Sequence, residues 1–153
     1  MEGNWFTTTD RDWDAISLYK RHYSARHYKD GRANLRSKGF LGPGEKMVLI
    51  TAKTDALFCW VYSKLGHRNG QTGVCCTIFR NEGSYLSSEL IREAVELAHK
   101  RWPGKRLFTY INEKKIRSPN PGYCFLRAGW EKIGKTKGNL LILESEVVPM
   151  IVR

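Results

Sequence analysis

The sequence lacks several features that would point to other classes of protein. It has no apolar run long enough to span a membrane, and its N-terminus lacks the basic and apolar regions of a signal peptide. These two absences predict a cytoplasmic protein without a membrane partner. There is no internal repeat, no low-complexity segment and no C-x-x-C pair. The four cysteines stand in apolar segments, which predicts reduced, packed thiols rather than disulfides or a zinc site; they are Cys59, Cys75, Cys76 and Cys124.

Acidic residues are scarce relative to basic ones. Asp and Glu number 15 against 26 Lys and Arg, so the 153-residue chain carries a net charge of +11. Such an excess attracts polyanions, and we predict DNA as a partner. A phosphate-rich cofactor would benefit from the same charge, and a basic protein that is merely soluble has the same composition. The length indicates a single domain over 1–153.

Residues 73–88 are the stretch around which we interpret the chain. An apolar and β-branched run over 74–79 predicts a buried strand. A polar turn over 80–84 follows, and a helix is predicted over about 86–101, with Leu86, Leu90, Ala94 and Leu97 on one face. A strand, a turn with glycine and a helix together aim backbone N–H groups and the helix dipole at one point, which suits a phosphate. The alternative is an ordinary strand-to-helix turn capped by serine.

Residues 21–38 have the most unusual composition in the chain. Two His-Tyr pairs lie among arginines and lysines without apolar periodicity, which predicts an exposed loop. Cations hold phosphates and aromatic rings stack on unpaired bases, so we expect a nucleic-acid surface here. Its cationic members, with one from a later basic loop, are Arg21, Arg26, His27, Lys29, Arg32, Arg36, Lys38 and Arg68. Proton chemistry is expected of His22, Tyr23, Ser24 and Tyr28. A solvated loop whose tyrosines pack on the core is the alternative.

The order of predicted elements is strand, helix, basic loop, three strands, helix, strand, short helix and two strands. This layout resembles the GCN5-related N-acetyltransferase (GNAT) superfamily. Residues 80–85 (Arg-Asn-Glu-Gly-Ser-Tyr) are similar to the pyrophosphate loop of that family, and residues 120–130 are similar to its short helix ending in Gly-Phe. The resemblance implies an α+β fold with a mixed central sheet of about six to seven strands, splayed mid-sheet and flanked by helices.

The resemblance also implies acetyl-CoA, or a related acyl-CoA, as cofactor. In the family the loop amides hold the pyrophosphate, and the splay between two strands admits the pantetheine arm. The corresponding residues are Cys76, Thr77, Ile78, Phe79, Arg80, Gly83, Ser84, Tyr85, Ser87, Ser88, Asn112 and Asn120. Two positions depart from the family: Tyr85 replaces a glycine or alanine, and Phe125 replaces the tyrosine that protonates the leaving thiolate. Tyr123 lies near that position without being in register with it, and it belongs to our catalytic candidates. No metal-ligand motif is evident, and a metal requirement and the oligomeric state stay open.

Three segments, 79–83, 87–92 and 120–125, resemble phage Mom-like DNA-modification proteins. That family is associated with conversion of adenine in DNA to an N6-carbamoylmethyl derivative, which blocks restriction enzymes. The resemblance implies a transferase that uses acetyl-CoA to modify the N6 amine of adenine, in the host cytoplasm if the chain is phage-encoded. An ordinary acetyltransferase acting on a protein, RNA or small-molecule amine is one alternative. A non-catalytic nucleic-acid binder on the same fold is the other.

Overall fold

A computed structural model describes residues 3–22, 38–67, 69–116 and 120–145. In these ranges the chain forms an α+β fold with one seven-stranded sheet. The strands are β1 (Trp5–Thr8), β2 (Glu45–Thr51), β3 (Ala56–Ser63), β4 (Gly73–Asn81), β5 (Leu107–Ile111), β6 (Glu131–Lys135) and β7 (Leu141–Glu144). The helices are α1 (Trp13–Lys20), α2 (Ser87–Arg101) and α3 (Tyr123–Arg127), with a 3-10 turn at Glu113–Lys115. The predicted fold class and strand number are confirmed.

The sheet is mixed, with strand order β1-β2-β3-β4-β5-β7-β6. Strands β4 and β5 are parallel, whereas every other neighbouring pair is antiparallel. The parallel pair follows from the sequence, because α2 separates these two strands and a crossover is needed to bring them side by side. The parallel pair therefore lies near the middle of the sheet, as expected.

Apolar clusters cover both faces of the sheet. One packs under α2 and α3 and includes Trp60, Leu90 and Phe125. The other packs under α1 and includes Leu18 and Ile78. Each helix contributes one apolar face, as the 3.6-residue period requires. Helix α1 starts after Asp12, whose side chain accepts a hydrogen bond from the backbone N–H of the second helical residue.

Two details of the predicted helices are wrong. Leu86 does not belong to the buried face of α2, because it is the residue before the helix and its side chain is 61% exposed. Pro121 does not lie in the first turn of α3, since that helix begins only after Gly122, whose φ of 79° is left-handed. Gly129, with φ of 96°, follows the end of α3 as predicted.

All four cysteines are unpaired, as predicted. Cys59, Cys75 and Cys76 are buried, and Cys124 is half-buried. Within the described ranges, no helix combines the length and apolar character needed to cross a bilayer. The same residues contain no group of three or more metal-ligating side chains.

Candidate functional site

A gap opens between β4 and β5. The two strands pair only over three residues of each, from Val74 opposite Leu107 to Cys76 opposite Thr109, although β4 continues to Asn81. The Thr109 hydroxyl donates a 2.7 Å hydrogen bond to the carbonyl of Cys76 at the last pair. Beyond this point β4 keeps its pairing with β3 but is no longer paired with β5. The sheet is therefore splayed between β4 and β5, where the resemblance implied a gap.

A bulge in β4 lies at the start of the gap. Cys59 of β3 is opposite Ile78, and the next residue, Trp60, is opposite Cys76. Thr77 is thus an extra residue without a partner in the register, and it is exposed. Bulges bend a strand and increase its twist. This bulge therefore gives a local reason for β4 to turn away from β5.

A pocket of about 320 Å³ fills the gap. Its lining is His22, Cys76, Thr77, Phe79, Thr109, Tyr110, Ile111, Ile116, Asn120, Gly122, Tyr123, Cys124 and Phe125. Phe125 belongs to the cluster under α2 and α3, whereas His22 follows α1 on the opposite face of the sheet. The pocket therefore reaches residues from both faces, through the opening between the strands.

The N-terminus of α2 carries unused donors. Its cap residue, Leu86, makes no side-chain cap hydrogen bond, so the predicted alternative of a serine-capped turn is not what the structure has. Within the described ranges, the backbone amides of residues 84–88 donate to no protein acceptor. Backbone N–H groups without a protein acceptor at the positive end of a 15-residue helix favour an anion nearby.

The two amides before these donors are already paired. The Glu82 amide donates to the carbonyl of Asp55 at 2.7 Å, and the Gly83 amide donates to the Asn81 side-chain oxygen at 3.0 Å. A Cβ on Gly83 would lie 2.3 Å from the Asp55 carboxylate. Close packing against Asp55 therefore requires glycine here, and the loop is held in shape by its own contacts.

Arg80 lies in an ionic cluster at the end of β4. Its Nε contacts Glu82 Oε2 at 2.5 Å, and its Nη1 donates to the Arg21 carbonyl at 2.7 Å. Arg21 in turn makes a bidentate contact with Glu82, at 2.6 and 2.9 Å. Hydrogen bonds from Arg21 and then from Arg80 lower the pKa of Glu82 to about 2. Sequence reasoning assigned Arg80 to the cofactor and Arg21 to DNA, and it gave Glu82 no role.

His22, a catalytic candidate named from the sequence, lies in the pocket lining. Burial, and after it the positive charge of Arg80, lower its pKa to about 4, against a hydrogen bond with the Phe79 backbone that raises it. The imidazole is therefore neutral at pH 7. A neutral ring has one donor and one acceptor nitrogen and can orient a substrate amine.

The two aromatic residues at the start of α3 differ in exposure. Tyr123 lines the pocket and is 54% exposed, whereas Phe125 is buried. Phe125 packs edge-to-face on Phe79 and Trp130, with centroid distances of 5.9 and 4.8 Å. Phe125 is thus an apolar wall of the pocket, and Tyr123 is the hydroxyl-bearing residue of α3 that reaches it.

The structure brings only part of the predicted cofactor set together. Cys76, Thr77, Phe79 and Asn120 line the pocket. Ile78 instead packs in the cluster under α1. Arg80, Gly83, Ser84, Tyr85, Ser87 and Ser88 lie at the end of β4 and the start of α2. Asn112 accepts a 3.2 Å hydrogen bond from the Lys114 amide and caps the 3-10 turn.

Most of the predicted DNA surface lies outside the described residues. Of that set, the structure describes Arg21 and Lys38. Outside the described ranges lie Arg26, His27, Lys29, Arg32, Arg36 and Arg68, and with them the catalytic candidates Tyr23, Ser24 and Tyr28.

Sequence reasoning missed several lining residues, namely Thr109, Tyr110, Ile111, Ile116, Gly122 and Cys124. A usable signal existed for the first three. A strand that is parallel to a splayed neighbour lines the same gap, so a contribution from β5 could have been inferred from the predicted topology.

Comparison of the chain with protein-family models, with curated proteins and with solved structures found no match.

Proposed function

We propose that the protein is an acyl-CoA-dependent transferase. The observation that supports this most is the early end of the β4–β5 pairing, with a pocket in the gap and an uncapped helix N-terminus at the end of the same strand. The pocket wall is largely apolar, which suits the uncharged pantetheine arm. The amides of residues 84–88 suit the phosphates. An acyl-CoA would supply an acyl group activated as a thioester.

The pocket also contains side chains with suitable proton chemistry. Tyr123 lines the pocket, and its hydroxyl is our candidate for protonating a leaving thiolate. His22, with a pKa near 4, is a weak base at pH 7. We therefore assign it to orienting the acceptor amine by a hydrogen bond rather than to removing its proton.

We propose DNA as the acceptor, at the N6 amine of adenine. The net charge of +11 favours a polyanion, and the three segments that resemble Mom-like proteins favour adenine. The lone pair of the N6 amine is delocalised into the ring, so this amine is a poor nucleophile. A base inside a duplex is also inaccessible, so the enzyme would act on a displaced base.

Cofactor binding is tested by titration calorimetry with acetyl-CoA and a variant that fills the pocket. Thr77→Phe adds a ring at the bulge, and we expect affinity to fall at least about tenfold through lost space. Thr72→Phe is the matched control, because Thr72 is also exposed but lies in the loop before β4 and does not line the pocket. No binding by the unaltered protein at millimolar acetyl-CoA would refute the proposal and favour the non-catalytic binder.

The acceptor is tested separately, by mass spectrometry of nucleosides from cells that express the protein. We expect a deoxyadenosine of increased mass, which should disappear in the Thr77→Phe variant. Unmodified nucleosides together with acetylated protein or small amines would contradict DNA as the acceptor while leaving the cofactor assignment in place.

A further inference from the structure

Arg21, Glu82 and Arg80 form an ionic clamp between the end of α1 and the end of β4. The Glu82 carboxylate accepts hydrogen bonds from Nε and Nη2 of Arg21, at 2.6 and 2.9 Å, and from Nε of Arg80 at 2.5 Å. Arg80 also donates to the Arg21 backbone carbonyl at 2.7 Å. The clamp thus holds both the side chain and the main chain of a residue 59 positions away from Arg80.

The clamped main chain continues directly into His22. The backbone amides of Arg21 and His22 donate to the carbonyls of Leu18 and Tyr19, so both residues continue the last turn of α1. His22 lies in the pocket lining, and its side chain forms a hydrogen bond with the Phe79 carbonyl of β4. Its place over the gap therefore depends on how the end of α1 is attached to β4.

We propose that Glu82 is a positioning residue that fixes His22 at the pocket. The effect of this positioning on catalysis rests on the proposed function, whereas the positioning of His22 by Glu82 does not. An isolated ion pair at the surface contributes little to stability. Here one carboxylate joins two guanidinium groups in a bidentate arrangement, a stronger and more directional contact. Arg80 also donates to the Arg21 backbone carbonyl, so the clamp restrains the main chain next to His22.

The test measures the pKa of His22 by NMR in Glu82→Gln and Glu82→Asp. The amide removes the negative charge. The shorter acid keeps the charge but loses the reach to both arginines. Among the described residues, other charged or titratable groups near His22 or in its pocket are Arg80, Arg21, Tyr110, Tyr123, Cys76 and Cys124.

The two possibilities predict different responses of this pKa. If the clamp positions His22, its release from the buried site raises the pKa from about 4 toward the ordinary value of 6.5 in both variants. If the clamp does not position it, Glu82→Gln leaves Arg80 without its counter-charge, so the pKa of His22 stays low or falls further. Glu96→Gln is the control, because it removes an equal charge from an exposed position of α2.

A second measurement keeps the test independent of titration. The rate of His22 carbethoxylation at pH 7.5, mapped by mass spectrometry, should rise about fivefold or more when the ring is released, and it should not change in Glu96→Gln. A His22 pKa that does not rise, together with an unchanged modification rate, in the two Glu82 variants with the fold intact by circular dichroism would overturn the proposal.

Activity then separates this inference from the proposed function. With His22 released, we expect kcat to fall roughly tenfold or more and KM for acetyl-CoA to change little. If the unaltered protein binds no acetyl-CoA, the proposed function fails, yet the pKa measurement still decides whether the clamp places His22. If acetyl-CoA binds normally and the pKa of His22 does not respond, the clamp fails and the proposed function stands.

Discussion

Replacing Ser87 by proline removes a single backbone N–H group and thereby tests the proposed anion site at the start of α2. Ser87 is the first residue of the helix, a position that accepts proline because its N–H has no helical partner. The preceding residue, Leu86, has φ of −68° and ψ of 125°, the extended conformation that a following proline requires. The substitution therefore deletes one donor without breaking the helix.

Ser87→Ala is the matched control for this variant. Both variants lose the hydroxyl that accepts a 2.9 Å hydrogen bond from Asn81, and only proline also loses the amide. A hydrogen bond to a charged group contributes about 1.5–3 kcal/mol. We therefore expect proline to weaken acetyl-CoA binding roughly 10- to 150-fold relative to alanine.

Calorimetry measures the two affinities, and urea unfolding verifies that both variants are folded. Equal affinities for acetyl-CoA in Ser87→Pro and Ser87→Ala would refute the role of this amide. A loss in both variants of similar size would assign the effect to the hydroxyl and its contact with Asn81 instead.

Three further predictions concern stability and charge. Gly83→Ala should lower the free energy of unfolding by about 1–3 kcal/mol, because the new Cβ meets the Asp55 carboxylate; the loss should shrink in an Asp55→Ala background. Burial holds His22 neutral in the folded state, whereas the unfolded chain binds a proton there near pH 6.5. The free energy of unfolding should therefore be unaffected by this group above pH 6.5 and should fall as the pH drops toward 4. Urea unfolding should show about 3 kcal/mol less acid destabilisation over that window in His22→Gln, and parallel pH profiles would contradict the assignment. DNA affinity should fall at least about tenfold between about 50 and 200 mM salt, and a salt-insensitive interaction would argue against the basic surface.

The topology of the sheet could be predicted because its signals are local. Apolar runs bounded by turns mark the strands, and the helix between β4 and β5 requires a parallel pair. The gap between these strands was expected from the resemblance and is present. What the periodicity could not predict is its cause, since an extra residue at Thr77 shows only when the register with β3 is known.

The details of the site depend on contacts between distant parts of the chain. Glu82 is an unremarkable acid in a basic segment, and its role is visible only once Arg21 lies beside it, 61 residues away. Gly83 was expected to let the loop bind a phosphate, and the close approach of the Asp55 carboxylate is a second reason for a glycine at this position. Ile78 was expected at the cofactor, but the bulge turns it to the opposite face. Such contacts have no signature in composition or spacing.

The most direct test of the central claim is an NMR titration of the labelled protein with acetyl-CoA, followed through its backbone amides. We expect the largest shifts in the amides of residues 84–88 and in those of β4 from Cys76 to Phe79, which border the gap. Shifts confined to other surfaces, or no shift at millimolar acetyl-CoA, would contradict acyl-CoA binding between β4 and β5.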